Sequence, residues 1–168
     1  YYNGTPLGSI GDLGCLSFHE TKNIQSGEGG ALIINNHKLI ERAEILREKG
    51  TNRVKFIEGK IDKYSWVDIG SSYLPSELTA AFLYSQLLHA NEITSNRINI
   101  WNLYYDNFKK LDFDNFYIQN IPKFNKTNGH IFFMILPNLK LRSVFIKRLL
   151  EKGVESTFHY LPLHKSKY

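Results

Sequence analysis

Short apolar runs and amphipathic stretches alternate in the first part of the chain. The runs at 13–18 (LGCLSF) and 29–34 (GGALII) are bounded by polar or glycine residues, which predicts two short buried strands. From Asn36, apolar residues recur at near-helical spacing until Gly50, a residue type that commonly ends helices. This predicts a helix, followed by a loop over residues 51–73, where no regular period is present.

Two helices are predicted next. Pro75 and Ser76 form a helix start, with Ser76 at the capping position. The second and longer helix carries apolar residues spaced three or four apart, and we interpret them as core rather than as a binding surface: Ile98, Trp101, Tyr105 and Phe108.

The last third of the chain predicts a strand–helix–strand unit. The runs 116–121 (FYIQNI) and 130–136 (HIFFMIL) are strand-like, and residues 141–152 are helical up to Gly153. The alternating segment 154–160 (VESTFHY) predicts a final strand. The element order indicates the end of an α/β layer followed by a smaller α+β domain.

Composition fits a globular protein and disfavours several classes of function. Hydrophobic residues make up 42% of the 168 residues, and no run of 18 apolar residues is present, so we expect no contact with a membrane. The formal charge of +5 comes from basic residues interspersed with acids, as in ERAEILREKG, so we expect no nucleic-acid partner. The same positive charge would attract a small ligand that carries phosphate groups.

The single cysteine and the first residues bear on the compartment. Cys15 excludes a disulfide within these residues and predicts a cytoplasmic protein, and we expect it to pack as a small apolar group. Residues 1–4 (YYNG) lack an initiator methionine, a basic start and an apolar run. We therefore expect no signal peptide, and a chain that is part of a longer protein.

Lys22 stands between a predicted strand end and a run of glycines, in SFHETKNIQSGEGG. A lysine that forms a Schiff base needs a fixed position, a dry pocket and a cofactor anchored by its phosphate. The Ser17 hydroxyl can donate a hydrogen bond to a phosphate oxygen, and the glycines let the backbone approach its neighbours closely. From spacing alone, a solvated surface lysine is the alternative.

The segment GSIGDLGCLSFHETKN, followed by GEGGALI, resembles the cofactor-lysine segment of the DegT/DnrJ/EryC1/StrS family of sugar aminotransferases. The later blocks LIERAEILREKGTNR, DIGSSYLPSELTAAFLYSQL and FHYLPLH resemble further family blocks in the right order. The resemblance implies an α/β fold, the fold-type I pyridoxal-phosphate-dependent aminotransferase. Residues 1–95 would be the end of the large cofactor-binding domain, and residues 96–168 part of the small α+β C-terminal domain.

The resemblance also implies roles for individual residues. Lys22 would form the Schiff base with pyridoxal 5'-phosphate and move the proton, and Ser17 would hold the cofactor phosphate. The family usually has Gly-x-Asn-x-Arg where this chain has GSSYL, so Ser72 stands where an asparagine reaches the phosphate bound in the partner subunit. This implies a homodimer with shared active sites.

The residues implied to border the sugar pocket are His159, Tyr160 and His164. Arg53, in GTNR, could meet a nucleotide phosphate, and a solvated or salt-bridged arginine is the equal alternative.

Within the family, several blocks are most similar to enzymes that transfer an amino group from L-glutamate to C4 of dTDP-4-oxo-6-deoxy-D-glucose. The product, dTDP-4-amino-4,6-dideoxy-D-galactose, serves cell-surface polysaccharides such as lipopolysaccharide and enterobacterial common antigen. Two alternatives stay open: another oxo-sugar nucleotide aminotransferase of the family, and a non-catalytic fragment that acts as an interaction module. Relatives with histidine at the lysine position dehydrate sugars, so Lys22 favours amino transfer.

Two further expectations concern groups outside these motifs. The family's acid that pairs with the pyridine nitrogen would lie before Tyr1, so residues 1–168 alone are expected to be inactive. Asp62 and Asp68 lack metal-ligand spacing, and the six histidines form no paired motif, so we predict no metal site.

Overall fold

The computed structural model describes residues 1–111 and 116–167. The chain divides into two compact units. The first contains Tyr1–Asn102 and Ile121–Ile131, and the second contains Leu103–Asn120 and Phe132–Tyr168. The assignment of residues 1–95 and 96–168 to two domains of the full-length protein stays a prediction.

A hairpin forms the start of the first unit. Strand β1 (Leu13–Ser17) pairs antiparallel with β2 (Gly30–Ile34), with Ser17 opposite Gly30, so both strands lie where the sequence predicts them. Their predicted burial is wrong: within β1 only Gly14 is buried, and Cys15 is exposed rather than packed. Among the described residues β2 is the only strand paired with β1, so most side chains of the hairpin stay open to solvent.

The predicted helix after Asn36 is confirmed, with an irregular start. The Asn36 side chain caps a 3-10 turn (His37–Leu39), which leads into α1 (Ile40–Arg47). A short helix α2 (Arg53–Ile57) lies inside the segment that the sequence predicts as loop. Five residues are too few to show a helical period, which explains the error. Lys55 on α2 pairs with Glu41 on α1 and holds the pKa of that carboxyl below its usual range.

The next two helices follow the predicted pattern. Helix α3 (Glu77–Leu88) begins at Ser76, whose hydroxyl accepts a hydrogen bond from the Thr79 amide at 3.2 Å. Helix α4 (Ala90–Lys109) carries Trp101, which is 6% exposed and is the one buried large apolar side chain in the described ranges. α3 is apolar on all sides, and its Leu78 is 85% exposed.

The second unit combines a short ladder with a helix. β3 (Tyr117–Ile118) pairs antiparallel with β4 (Met134–Ile135), so both strands are much shorter than the apolar runs predict. Asn138 caps helix α5 (Leu139–Glu151), which lies at the predicted place. The aromatic side chains Tyr104, Phe108 and Phe132 stack with ring centroids 5.5 to 6.4 Å apart.

The predicted strand at residues 154–160 is wrong. This segment has no ladder partner in the part of the chain that the structure describes. Its Phe158 ring instead packs against the guanidinium of Arg142 on α5, 3.9 Å from the ring centroid. The segment therefore contacts α5 through a side chain, and its apolar alternation is not accompanied by strand pairing in the described residues.

Residues 1–111 and 116–167 contain neither a candidate membrane span nor a candidate metal site. No helix there has the length and apolar character needed to cross a membrane. No group of three or more His, Cys, Asp or Glu side chains is arranged to bind a metal ion.

Candidate active site

The loop that carries Lys22 is a narrow extension of the β1–β2 hairpin. The Phe18 amide donates to the Gly29 carbonyl at 2.9 Å, and the Ser26 amide donates to the Phe18 carbonyl at 2.8 Å. Further along, the Glu20 amide donates to the Gly27 carbonyl at 2.8 Å. The backbone around Lys22 is therefore held by hydrogen bonds although it lies outside the strands.

Lys22 ends a tight turn at the tip of this extension. Its amide donates to the His19 carbonyl at 2.9 Å, which closes the turn. The residue is half-buried, and within the described parts of the chain its ammonium group has no hydrogen-bond or ion-pair partner. The backbone of Lys22 is thus held at a defined place, and its amine is not engaged by a carboxylate, as a Schiff-base lysine requires.

His19 connects Ser17 to the turn. Its amide donates to the Ser17 hydroxyl oxygen at 3.3 Å, and its ring Nδ1 accepts from the Thr21 amide at 3.2 Å. Because Nδ1 accepts, the proton of the neutral ring belongs on Nε2, which faces Glu28 Oε1 at 3.8 Å. Ser17 keeps its own hydroxyl hydrogen, so it can donate to a phosphate oxygen.

The backbone opposite Ser17 lies close to its partner strand, which requires glycine there. A Cβ on Gly30, which pairs with Ser17, would lie 2.8 Å from the Leu16 carbonyl oxygen, so a side chain does not fit there. The Gly27 amide donates to the Gln25 side chain at 2.7 Å, and the Ser26 hydroxyl donates to the Glu28 carbonyl at 2.8 Å. The Ser17 hydroxyl can donate to a phosphate oxygen and the Lys22 amine can condense with an aldehyde, so the chemistry of these two residues fits pyridoxal phosphate.

A cavity of about 220 Å³ lies between the base of this loop and α3. Its walls are mostly apolar and include Phe18, Gly30 and Leu83. Neither Ser17 nor Lys22 lines it, although Phe18 follows Ser17 and Gly30 pairs with it.

Ser72 lies in a second set of contacts, between residues 48–53 and 65–73, which we call the interlocked loops. The Lys49 amide donates to the Ser71 carbonyl at 3.2 Å, and Glu48 and Ser72 form a bridge. Within residues 1–111 and 116–167, no hydrogen bond joins Ser72 to Ser17 or Lys22. The predicted contact of Ser72 with a partner's cofactor therefore stays a prediction.

The contact observed for Arg53 is a salt bridge. Its Nη1 lies 3.6 Å from Oε2 of Glu48, a carboxylate that is nearly buried. The Thr51 hydroxyl donates to the Glu48 carbonyl at 2.7 Å and is itself buried. The geometry gives Arg53 a salt-bridge partner at the interlocked loops, as the second of the two predicted roles has it.

The predicted sugar-pocket residues lie in the second unit. The rings of His159 and Tyr160 are adjacent, with centroids 3.9 Å apart, and Tyr160 is 70% exposed. His164 lies in a 3-10 turn (Leu163–Lys165) just after Pro162. Their contact with substrate stays a prediction.

The sequence reasoning missed two residues next to the candidate site. Asn23 follows Lys22 directly, and its side chain hydrogen-bonds to residues 128–130 of the same unit, including His130. More than 100 residues separate the partners, so no local pattern in the sequence indicates this contact.

The whole chain, residues 1–168, matches the model of the DegT/DnrJ/EryC1/StrS aminotransferase family. A dTDP-3-amino-3,6-dideoxy-alpha-D-galactopyranose transaminase of Aneurinibacillus thermoaerophilus is 30% identical over 99% of this chain and 42% of its own length. A UDP-4-amino-4,6-dideoxy-N-acetyl-beta-L-altrosamine transaminase of Campylobacter jejuni is 26% identical over 98% of this chain and 42% of its own length. The chain thus spans less than half the length of these relatives.

The fold agrees with this match. Helicobacter pylori PseC, an aminotransferase, superposes with a TM-score of 0.82 over 99% of this chain and 44% of its own, at 24% identity. This confirms the predicted fold class, the α/β fold of pyridoxal-phosphate-dependent sugar aminotransferases. The family uses pyridoxal 5'-phosphate, the group that Ser17 and Lys22 are suited to hold. By its sequence along its whole length, the chain belongs to the DegT/DnrJ/EryC1/StrS aminotransferase family.

Proposed function

We propose that the full-length protein is a pyridoxal-phosphate-dependent aminotransferase acting on an oxo-sugar carried by a nucleoside diphosphate. The observation that carries this proposal is Lys22 itself. The residue is half-buried, its amine is unengaged by other described residues, and it lies five positions after Ser17 on one hydrogen-bonded hairpin extension. Membership of the family supports it, because the matched relatives are named as transaminases of amino-sugar nucleotides.

The two residues have separate tasks in this proposal. Pyridoxal phosphate, when bound, supplies an electron-withdrawing ring that stabilises negative charge on the carbon that loses a proton. Lys22 Nζ is the group that would hold the cofactor covalently and would carry the proton to and from the reacting carbon. Ser17 donates a charge-assisted hydrogen bond to the phosphate and so fixes the distance from Lys22.

The narrower proposal concerns the substrates, the oligomeric state and the cellular compartment. The amino donor is L-glutamate and the acceptor is dTDP-4-oxo-6-deoxy-D-glucose, giving dTDP-4-amino-4,6-dideoxy-D-galactose for cell-surface polysaccharides. His159, Tyr160 and His164 would contact the sugar nucleotide. The enzyme would work in the cytoplasm as a homodimer, with Ser72 reaching the partner's phosphate. The block resemblance supports these details, while the matched relatives act, by their names, on several different sugar nucleotides.

The test uses the full-length protein, pyridoxal phosphate, L-glutamate labelled with ¹⁵N, and a panel of oxo-sugar nucleotides. The panel varies the nucleotide and the position of the oxo group. We expect ¹⁵N-labelled amino sugar, formed fastest from dTDP-4-oxo-6-deoxy-D-glucose. Lys22→Ala should lower the rate by several orders of magnitude, because its covalent and proton-transfer roles are lost together.

Lys38→Ala is the matched control, because Lys38 is an exposed lysine outside the hairpin loop. It should keep the wild-type rate. If no acceptor on the panel is aminated, the proposed function is wrong. If a different acceptor is preferred, the narrower proposal is wrong and the broader one stands.

A further inference from the structure

The Asn23 side chain ties the Lys22 loop to a distant turn of the same unit. Its Nδ2 donates to the Asn128 carbonyl at 2.7 Å. Its Oδ1 lies 3.0 Å from Nδ1 of His130. Because an amide oxygen can only accept, the His130 ring must carry its proton on Nδ1 to make this bond. Asn23 and His130 are half-buried, so the bond between them is partly shielded from water, whereas the bond to Asn128 is exposed.

The distant turn, residues 127–131, is itself fixed on α4. The Gly129 amide donates to the Thr127 hydroxyl at 3.1 Å, and the His130 amide donates to the Asn128 side chain at 3.2 Å. The buried Trp101 of α4 donates its indole N–H to the Ile131 carbonyl at 3.1 Å. A Cβ on Gly129 would lie 2.7 Å from the backbone of Arg97, so the turn lies directly against the helix.

These contacts form a continuous path from α4 to the residue beside Lys22. In the described parts of the chain, the other side-chain hydrogen bonds of the loop also stay within the hairpin extension and do not tie it to another element; they are those of Ser17, His19, Thr21, Gln25 and Ser26. Asn23 supplies that external anchor. A catalytic amine must be held to within a fraction of an ångström of its productive place, and an anchor one residue away restricts where its backbone can move.

We propose that Asn23 and His130 are positioning residues for Lys22. Asn23 holds the loop on the 127–131 turn, and His130 holds the Asn23 amide in the orientation that makes both bonds. The proposal rests on the proposed function of Lys22. It adds two residues that do not touch the reacting atoms and act through the lysine.

The test compares His130→Ala with His130→Asn in the full-length protein. The amide nitrogen of asparagine lies close to the place of the histidine Nδ1 and can donate to Asn23 Oδ1, whereas alanine cannot. Asn99→Ala is the matched control, because Asn99 is exposed on α4. The readouts are backbone amide exchange of residues 19–23, the rate at which added pyridoxal phosphate gives visible absorbance, and kcat and KM separately.

His130→Ala should raise amide exchange in residues 19–23 and lower the capture rate, each about tenfold, because it leaves a partly buried amide oxygen unpaired. The value of kcat should fall while KM stays nearly constant. In His130→Asn, amide exchange, capture rate and kcat should return to within about threefold of wild type. Asn99→Ala should change none of these quantities. If His130→Ala does not fold, Asn23→Asp replaces it, because it keeps the acceptor and loses the donor to Asn128.

Two results would overturn this inference and leave the proposed function standing. One is amide exchange and pyridoxal phosphate capture at wild-type rates in the disrupted variant. The other is a folded His130→Asn protein whose exchange, capture rate and kcat are no closer to wild type than those of His130→Ala. A wild-type protein that captures no pyridoxal phosphate would overturn the proposed function and the inference with it. The two failures are therefore distinguishable.

Discussion

Gly50 is the residue on which the interlocked loops depend most directly. Its amide donates to the Ile45 carbonyl at 2.8 Å, and its carbonyl accepts from the amides of Val67 and Asp68 at 2.8 and 3.1 Å. Its φ is +79°, and a Cβ would lie 1.9 Å from the Asp68 carbonyl oxygen. Two separate penalties therefore oppose any side chain at this position.

Gly50→Ala should destabilise the full-length protein by about 3–4 kcal/mol. The left-handed backbone accounts for roughly 1–2 kcal/mol. The impossible Cβ contact must push the loops apart, which breaks the two bonds to the Gly50 carbonyl at about 1 kcal/mol each. The measurement is the free energy of unfolding in urea, followed by tryptophan fluorescence.

Gly59→Ala is the matched control. Gly59 has a φ of +71°, but no heavy atom lies within 4 Å of its ideal Cβ. This variant should lose only the backbone part, roughly 1–2 kcal/mol. If both variants are destabilised equally, the close approach of Gly50 to Asp68 does not contribute, and the reasoning is wrong.

The remaining predictions concern the candidate site and one surface ion pair. Ser17→Ala should weaken pyridoxal phosphate binding roughly 10- to 100-fold with the fold intact by circular dichroism, because a charge-assisted hydrogen bond is lost; unchanged affinity would mean that Ser17 only ends β1. Ser72→Ala should reduce the cofactor-induced shift toward dimer by about 1 kcal/mol in sedimentation at several protein concentrations, and a wild-type shift would remove Ser72 from the shared site. Since Lys55 lowers the pKa of Glu41, their pair stabilises the folded state above the ordinary carboxyl pKa and loses this effect as the pH falls through the lowered value. The stability difference between wild type and Glu41→Gln should therefore be present at pH 7 and vanish in acid, and a difference that persists in acid would contradict the pairing.

The long helices could be predicted from the sequence. α3, α4 and α5 each span at least twelve residues, and their starts carry local signals such as the Ser76 and Asn138 caps. The short elements could not. α2 has five residues and shows no period, and the alternating segment 154–160 contacts Arg142 through Phe158 and has no ladder partner in the described residues.

In the candidate site, too, contacts between residues close in sequence could be predicted and contacts between distant residues could not. Ser17 and Lys22 lie five residues apart on one hairpin, so their proximity follows from local sequence and from the family resemblance. The link from Asn23 to His130 joins positions 107 residues apart and depends on where the 127–131 turn is held on α4. Burial was misjudged for a related reason, because an apolar run shows that a strand can be buried and does not show what covers it.

The central claim is that Lys22 is the lysine that binds pyridoxal phosphate. The most direct measurement is to add the cofactor to the full-length protein, reduce with borohydride, digest, and locate the pyridoxyl group by mass spectrometry. The account predicts modification of the peptide that contains Lys22, with none in Lys22→Ala and full modification in Lys38→Ala. Modification of a different lysine, or none in the wild-type protein, would contradict it.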